Sequence, residues 1–168
     1  MYLENNRTRH SPVRLLLAWA AVISVMVLIF ILSHQSQSVS GLFFTRIADY
    51  AQQRVKFSTA GTVLTADFAR MTIYGSLYLI LSLLLAGALS RSGVHHVKNG
   101  ILVLLISGLF AVSDELHQFL VPGRVSRLSD ILVALGGILT GIILYQIGSL
   151  LHDIGTERSV RRDEAPRL

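Results

Sequence analysis

The chain has 168 residues, 52% of them apolar and only 15% charged, with a net charge of +5 and no cysteine. That composition lies outside the range of soluble globular domains, and the missing cysteines exclude disulfides, thiolate metal sites and a cysteine nucleophile. The basic residues are dispersed around apolar stretches, with no Lys/Arg block interleaved with aromatics, so they point to lipid headgroups as contacts and not to nucleic acid.

The first apolar run, residues 15–32 (LLLAWAAVISVMVLIFIL), follows Arg7, Arg9 and Arg14. It exceeds the apolar length of a cleavable signal and reads as a retained signal-anchor. Residues 71–89 and 131–151 are equally free of charge, and each is long enough to cross roughly 30 Å of hydrocarbon. Between the first two spans, Val39, Phe43, Ile47, Tyr50, Ala51 and Val55 recur at helical spacing, with Arg46, Asp49, Gln53 and Lys56 on the other face. This amphipathic helix can lie in the membrane interface, cap the bundle, or serve as a connector with one apolar side. Thr65 is placed to cap the next helix, with Asp67 in its first turn.

The third span needs an argument. Residues 101–113 (ILVLLISGLFAVS) carry no charge but reach only about 20 Å as a helix. Extension to the stop at Pro122 restores a full span, and it carries Asp114, Glu115, His117 and Gln118 into the last third of the helix. Steps of about 100° place these four across an arc of roughly 160°, leaving the rest of the circumference apolar. A charge at mid-bilayer costs on the order of 2.5 to 3.5 kcal/mol, so the carboxylates should be paired, hydrated or protonated; Arg70, Arg124 and Arg127 are the available partners. A helix C-terminus disfavours carboxylates, which makes a mere helix-end role a poor account of Asp114 and Glu115. Asp130 is different, because a first-turn carboxylate suits the next helix, with Ser126 or Ser129 as its cap.

The expected fold is therefore all-α: a polytopic four-helix membrane bundle spanning about 15–33, 70–89, 101–121 and 130–151, with the amphipathic helix between spans one and two. Residues 1–14 form a short leading segment, 15–151 the membrane domain, and 152–168 a polar, disordered tail. Nine Lys and Arg residues flank the side holding both termini and six the other, which puts both termini in the cytoplasm. Gly137 and Gly141 permit close helix approach, within this chain in preference to a dimer. His95 and His96 adjoin Lys98 on the terminal side and read as headgroup-facing.

On the side opposite the termini, polar residues from all four spans meet. The first span ends at Ser33-His34-Gln35-Ser36, Arg70 stands one turn from Tyr74, and Asp114 to Gln118 lead to Arg124, Arg127 and Asp130. The blocks Ser113-Asp114-Glu115-Leu116-His117-Gln118-Phe119, Val121-Pro122-Gly123-Arg124 and Leu128-Ser129-Asp130 resemble the signature of the VanZ-like family of bacterial membrane proteins, named for a teicoplanin-resistance protein. The end of the first span, Leu32-Ser33-His34-Gln35-Ser36, is similar to that family's Ser-x-Gln element. One departure is Arg70-Met71 before Tyr74, where the family usually has a His-Phe pair; Arg70 can replace that His as a polar or cationic partner but not as a base near neutral pH. The resemblance implies a multi-pass bacterial cell-membrane protein, some of whose relatives lower sensitivity to a glycopeptide antibiotic.

The expected ligand-binding residues are Ser33, Gln35, Arg70, Tyr74, Asp114, Glu115, His117, Gln118, Arg124, Arg127 and Asp130, with His34 an outside candidate. No cofactor is implied; the expected partners are membrane lipid and a lipid-linked envelope precursor or glycopeptide. An intramembrane hydrolase or transferase is the alternative, with Asp114, Glu115 and His117 as the catalytic candidates, or with Asp114, His117 and Asp130 around a divalent ion. A transport or proton-coupled role is a third option. No HExxH, P-loop or GxSxG motif supports catalysis, and Glu115-x-His117 sets its two side chains about 200° apart on a helix. Binding is the favoured reading.

Overall fold

The computed structural model describes residues 11–34, 37–54, 65–120 and 128–163. They form five helices: α1 (Pro12–His34), α2 (Gln37–Arg54), α3 (Ala66–Arg91), α4 (His96–Leu120) and α5 (Leu128–Asp163). α1, α3, α4 and the Leu128–Gly155 part of α5 are long and apolar enough to cross a membrane. The protein is thus an all-α membrane bundle, and α2 is the amphipathic helix between its first two spans.

Local chemistry sets several of the boundaries. Pro12 occupies the first position of α1, where its missing N–H costs nothing, and the Ser11 hydroxyl accepts from the Arg14 amide at 3.4 Å. Thr65 caps α3 as expected: its side chain accepts from the Phe68 amide at 3.2 Å, and Asp67 lies in the first turn. The other end of α3 closes on Gly93 at φ 89°, with the Gly93 amide donating to Ser90 and the Val94 amide to Leu89. This is the glycine-dependent 6→1, 5→2 stop, and it reverses the chain directly into α4. Asn99 secures the reversal, donating to the Ala86 carbonyl at 2.9 Å and the Val94 carbonyl at 3.0 Å.

α3 is the central helix and packs against each of the other four. Within its most apolar stretch 44% of residues are buried, against 11% for α1, which therefore lies on the periphery. Tyr78, Leu81, Leu85, Ala88 and Leu89 of α3 meet Val22 and Ile29 of α1, Val103 and Ala111 of α4, and Ala134 and Ile138 of α5 in one core. The α3–α5 contact depends on absent side chains. A Cβ at Gly137 would strike the Gly75 carbonyl and come within 3.1 Å of the Leu79 nitrogen; one at Gly141 would strike Ser82 and lie 2.8 Å from the Leu79 carbonyl. The Gly137-xxx-Gly141 pair thus serves packing within the chain, where dispersion and close backbone approach replace the hydrophobic effect.

α2 packs on α3 through Phe44 and Ala48, both buried, with the Phe44 ring 6.3 Å from that of Tyr74. Two expectations are corrected at α5. The helix does not end at Leu151 but continues to Asp163, so the first part of the expected disordered tail is helical. Extending an existing helix costs far less than nucleating one, and no proline intervenes before Pro166. The helix also begins at Leu128, so Ser129 falls inside it and is not its cap, while Ser126 lies outside the described residues.

Candidate functional site

The polar residues gather at the bundle end that holds the last turn of α1, the first turns of α3 and α5 and the last turns of α4. On α4 the buried positions are Asn99, Val103, Ser107, Ala111, Asp114, Glu115 and Gln118, a stripe spaced by three and four that points one face inward. Ser33 is fully buried in the facing α1. Its hydroxyl donates to Asp114 Oδ2 at 2.6 Å and lies 3.3 Å from the Tyr74 hydroxyl. The Gln118 side-chain amide donates to Asp114 Oδ2 at 2.9 Å and to Ser33 Oγ at 3.2 Å. Three helices are thereby joined through one carboxyl oxygen and one hydroxyl. Buried polar groups are tolerated when they satisfy one another in this way, and low dielectric strengthens each bond.

Arg70 does not reach Asp114. Its guanidinium forms a fork on Asp130, with Nη1 at 2.9 Å from Oδ2 and Nη2 at 3.1 Å from Oδ1. Both side chains are mostly buried, at 14% and 17% exposure. The expectation that Arg70 partners the α4 carboxylates is corrected: one helical turn separates it from Tyr74, and the first-turn carboxylate of α5 lies closer to hand. Bidentate geometry makes that pairing specific for arginine.

His117 is also elsewhere. It projects from the opposite flank of the buried arc, where Nε2 lies 3.1 Å from Nδ1 of His34, and the two rings stack at 5.4 Å. Phe30 packs on the His117 ring at 4.7 Å. A hydrogen bond between two imidazoles needs one acceptor nitrogen, so at least one ring is neutral when it forms. With His117 against His34 and Asp130 against Arg70, the trio Asp114, His117 and Asp130 is not assembled; among the described residues no three His, Cys, Asp or Glu side chains converge as a metal ion would require.

A narrow cleft of about 10 Å³, room for about one water molecule, lies between the helices. Its walls are Tyr74, Tyr78, Ala111, Asp114, Glu115, Gln118, Asp130, Ile131 and Ala134. Glu115 is 7% exposed and also forms part of a second, larger groove. Six of the expected residues, Ser33, Tyr74, Asp114, Glu115, Gln118 and Asp130, thus belong to the cluster or the cleft, with Arg70 held at its edge through Asp130. Gln35, Arg124 and Arg127 lie outside the described residues. Two residues went unnoticed in the sequence. Tyr78 is buried beside the cleft and Phe30 packs on the His pair; the i, i+4 spacings of Tyr78 from Tyr74 and of Phe30 from His34 were the available signals.

No curated protein and no solved structure matches the chain. A protein-family model does: that of VanZ/LLP1 matches residues 18–150, from within the first apolar helix into the last span and across every residue of the polar cluster and cleft. The likeness noted in the 113–130 block therefore extends over most of the sequence, and the chain belongs to the VanZ/LLP1 family.

Proposed function

We propose that this multi-pass protein sits in the bacterial cell membrane with both termini in the cytoplasm, and that its polar cluster, at the outer-leaflet end of the bundle, takes part in binding or modulating a cell-envelope ligand. The observation that carries the reading is the bonded cluster of Ser33, Asp114 and Gln118 at the ends of membrane-spanning helices, with Glu115 beside it. Ionisable residues at such depth are costly to insert and mark functional sites by default. By sequence, Arg124 and Arg127 follow α4 directly and add anion-binding capacity close to a helix N-terminus. A lipid-linked envelope precursor offers hydroxyls and phosphates to such a set, and a glycopeptide of the teicoplanin class is a second ligand of the same hydrogen-bonding character.

Binding is preferred to hydrolysis or group transfer because the only imidazole on α4's polar stretch contacts His34 and not Asp114. The test is a deletion strain challenged with glycopeptides and other envelope stressors, complemented with Asp114→Asn, Glu115→Gln and Arg124→Ala. Loss of complementation at normal membrane levels is the expected result. Full complementation by all three variants at wild-type levels overturns the proposal.

A further inference from the structure

The second groove opens on the outside of the bundle between the last turns of α4 and the first turn of α5, and holds about 360 Å³. Among the described residues it is lined by Val112, Leu116, Phe119, Leu128 and Ile131, with Glu115 as the one ionisable side chain. Leu116, Phe119 and Leu128 are 65%, 74% and 80% exposed, so this surface faces whatever surrounds the bundle. Around a membrane-spanning helix the surroundings are hydrocarbon, and an apolar recess there is filled by a flexible chain more favourably than by water.

Glu115 and Ile131 belong to both cavities. The apolar groove and the polar cleft therefore abut, with a carboxyl group at the junction. That juxtaposition fits an amphiphile held at its headgroup as well as along its chain. We infer that the groove between α4 and α5 holds one acyl or prenyl chain of a membrane amphiphile, entering sideways from the bilayer, whose polar headgroup donates a hydrogen bond to Glu115. The inference rests on the binding reading above and narrows it: the ligand is a lipid whose headgroup carries an N–H or O–H donor for the Glu115 carboxyl oxygens.

The full-length protein in nanodiscs, doped with phosphatidylethanolamine or phosphatidylcholine carrying a photoreactive group on one acyl chain, tests this directly. Phosphatidylethanolamine offers ammonium donors and phosphatidylcholine none. Cross-links should concentrate on residues 112–119 and 128–132 over the equally exposed Leu16 and Ile23 of α1. Phosphatidylethanolamine should be preferred by about ten-fold, the size of one hydrogen bond to a charged group. Glu115→Leu should remove the headgroup preference and leave chain labelling in place. Val112→Trp with Ile131→Trp should abolish labelling at the groove; should that pair fail to fold, the outward-facing Leu116→Ala with Phe119→Ala should weaken it. Label spread evenly over α1 and the groove, an unchanged pattern in the filled variants, or cross-links to a second copy of the chain at these positions overturns the inference. If the groove-filled variant loses labelling yet still complements the deletion strain, the chain site plays no part in the envelope phenotype and the polar-cleft reading stands alone.

Discussion

Ser33→Ala removes an oxygen that touches three groups: Asp114 at 2.6 Å, Gln118 at 3.2 Å and Tyr74 at 3.3 Å. Hydrogen bonds between membrane helices average about 0.6 kcal/mol and reach about 1.7 kcal/mol. Withdrawing a donor from a buried acceptor adds a desolvation cost of about 1–3 kcal/mol. Ser33 is fully buried, so bulk water does not take its place, and the loss should fall near 2 kcal/mol on both principles, above the membrane average. A double-mutant cycle with Asp114→Ala, read by reversible unfolding in bicelles, should return a coupling of about 1–1.5 kcal/mol between α1 and α4. The control cycle, His34→Ala with His117→Ala, concerns an exposed bond at the last residue of α1, where the span ends and interfacial water can replace it, and should return less than about 0.5 kcal/mol. Additivity of the Ser33 and Asp114 substitutions within about 0.3 kcal/mol refutes the reasoning.

Other outcomes follow from the packing and the charges. Gly141→Leu should destabilise the fold by about 1–3 kcal/mol or block its assembly, because α3 backbone occupies the space, whereas Gly136→Ala, with nothing within 4 Å, should be neutral or gain up to about 1 kcal/mol; the same unfolding assay reads both. Arg70→Met alone should cost about 3 kcal/mol by stranding Asp130, and adding Asp130→Leu should recover much of it; equal losses in the single and double variants count against the pair. Alkaline phosphatase fused after residue 60 should be active and after residue 168 inactive, and the reverse pattern inverts the proposed orientation.

The membrane class and the helix order were legible because an apolar run without charge has few alternatives, and the short 101–113 stretch forced Asp114 to Gln118 into a helix. Thr65 and the Gly137-xxx-Gly141 pair were readable for the same reason, each being a local device with a local consequence. Partner choice was not legible. Arc arithmetic put His117 on the same broad face as Asp114, but adjacent residues at the end of α1 divide that face, the buried Ser33 taking Asp114 and Gln118 and the exposed His34 taking His117. Arg70 likewise had several carboxylates in prospect, and only the approach of α3 to α5, set by glycines far along both helices, brings Asp130 to it. Nor could the sequence show that a helix past Leu151 would keep winding when its apolar content ran out.

α1 spans about 35 Å yet hides only Val22, Ile29 and Ser33, and its remaining circumference offers bulky side chains to the bilayer. Greasy surfaces of that sort slide on lipid with little preference for one azimuth. The hydroxyl-to-carboxyl tie near its far tip therefore acts as one angular pin of this 23-residue rod, and the Trp19 indole, donating to Ser92 Oγ at 3.3 Å, acts as a second toward the other end. Anything that competes for Asp114 would release the first pin alone, loosening the tip of α1 while the Trp19 end stays held.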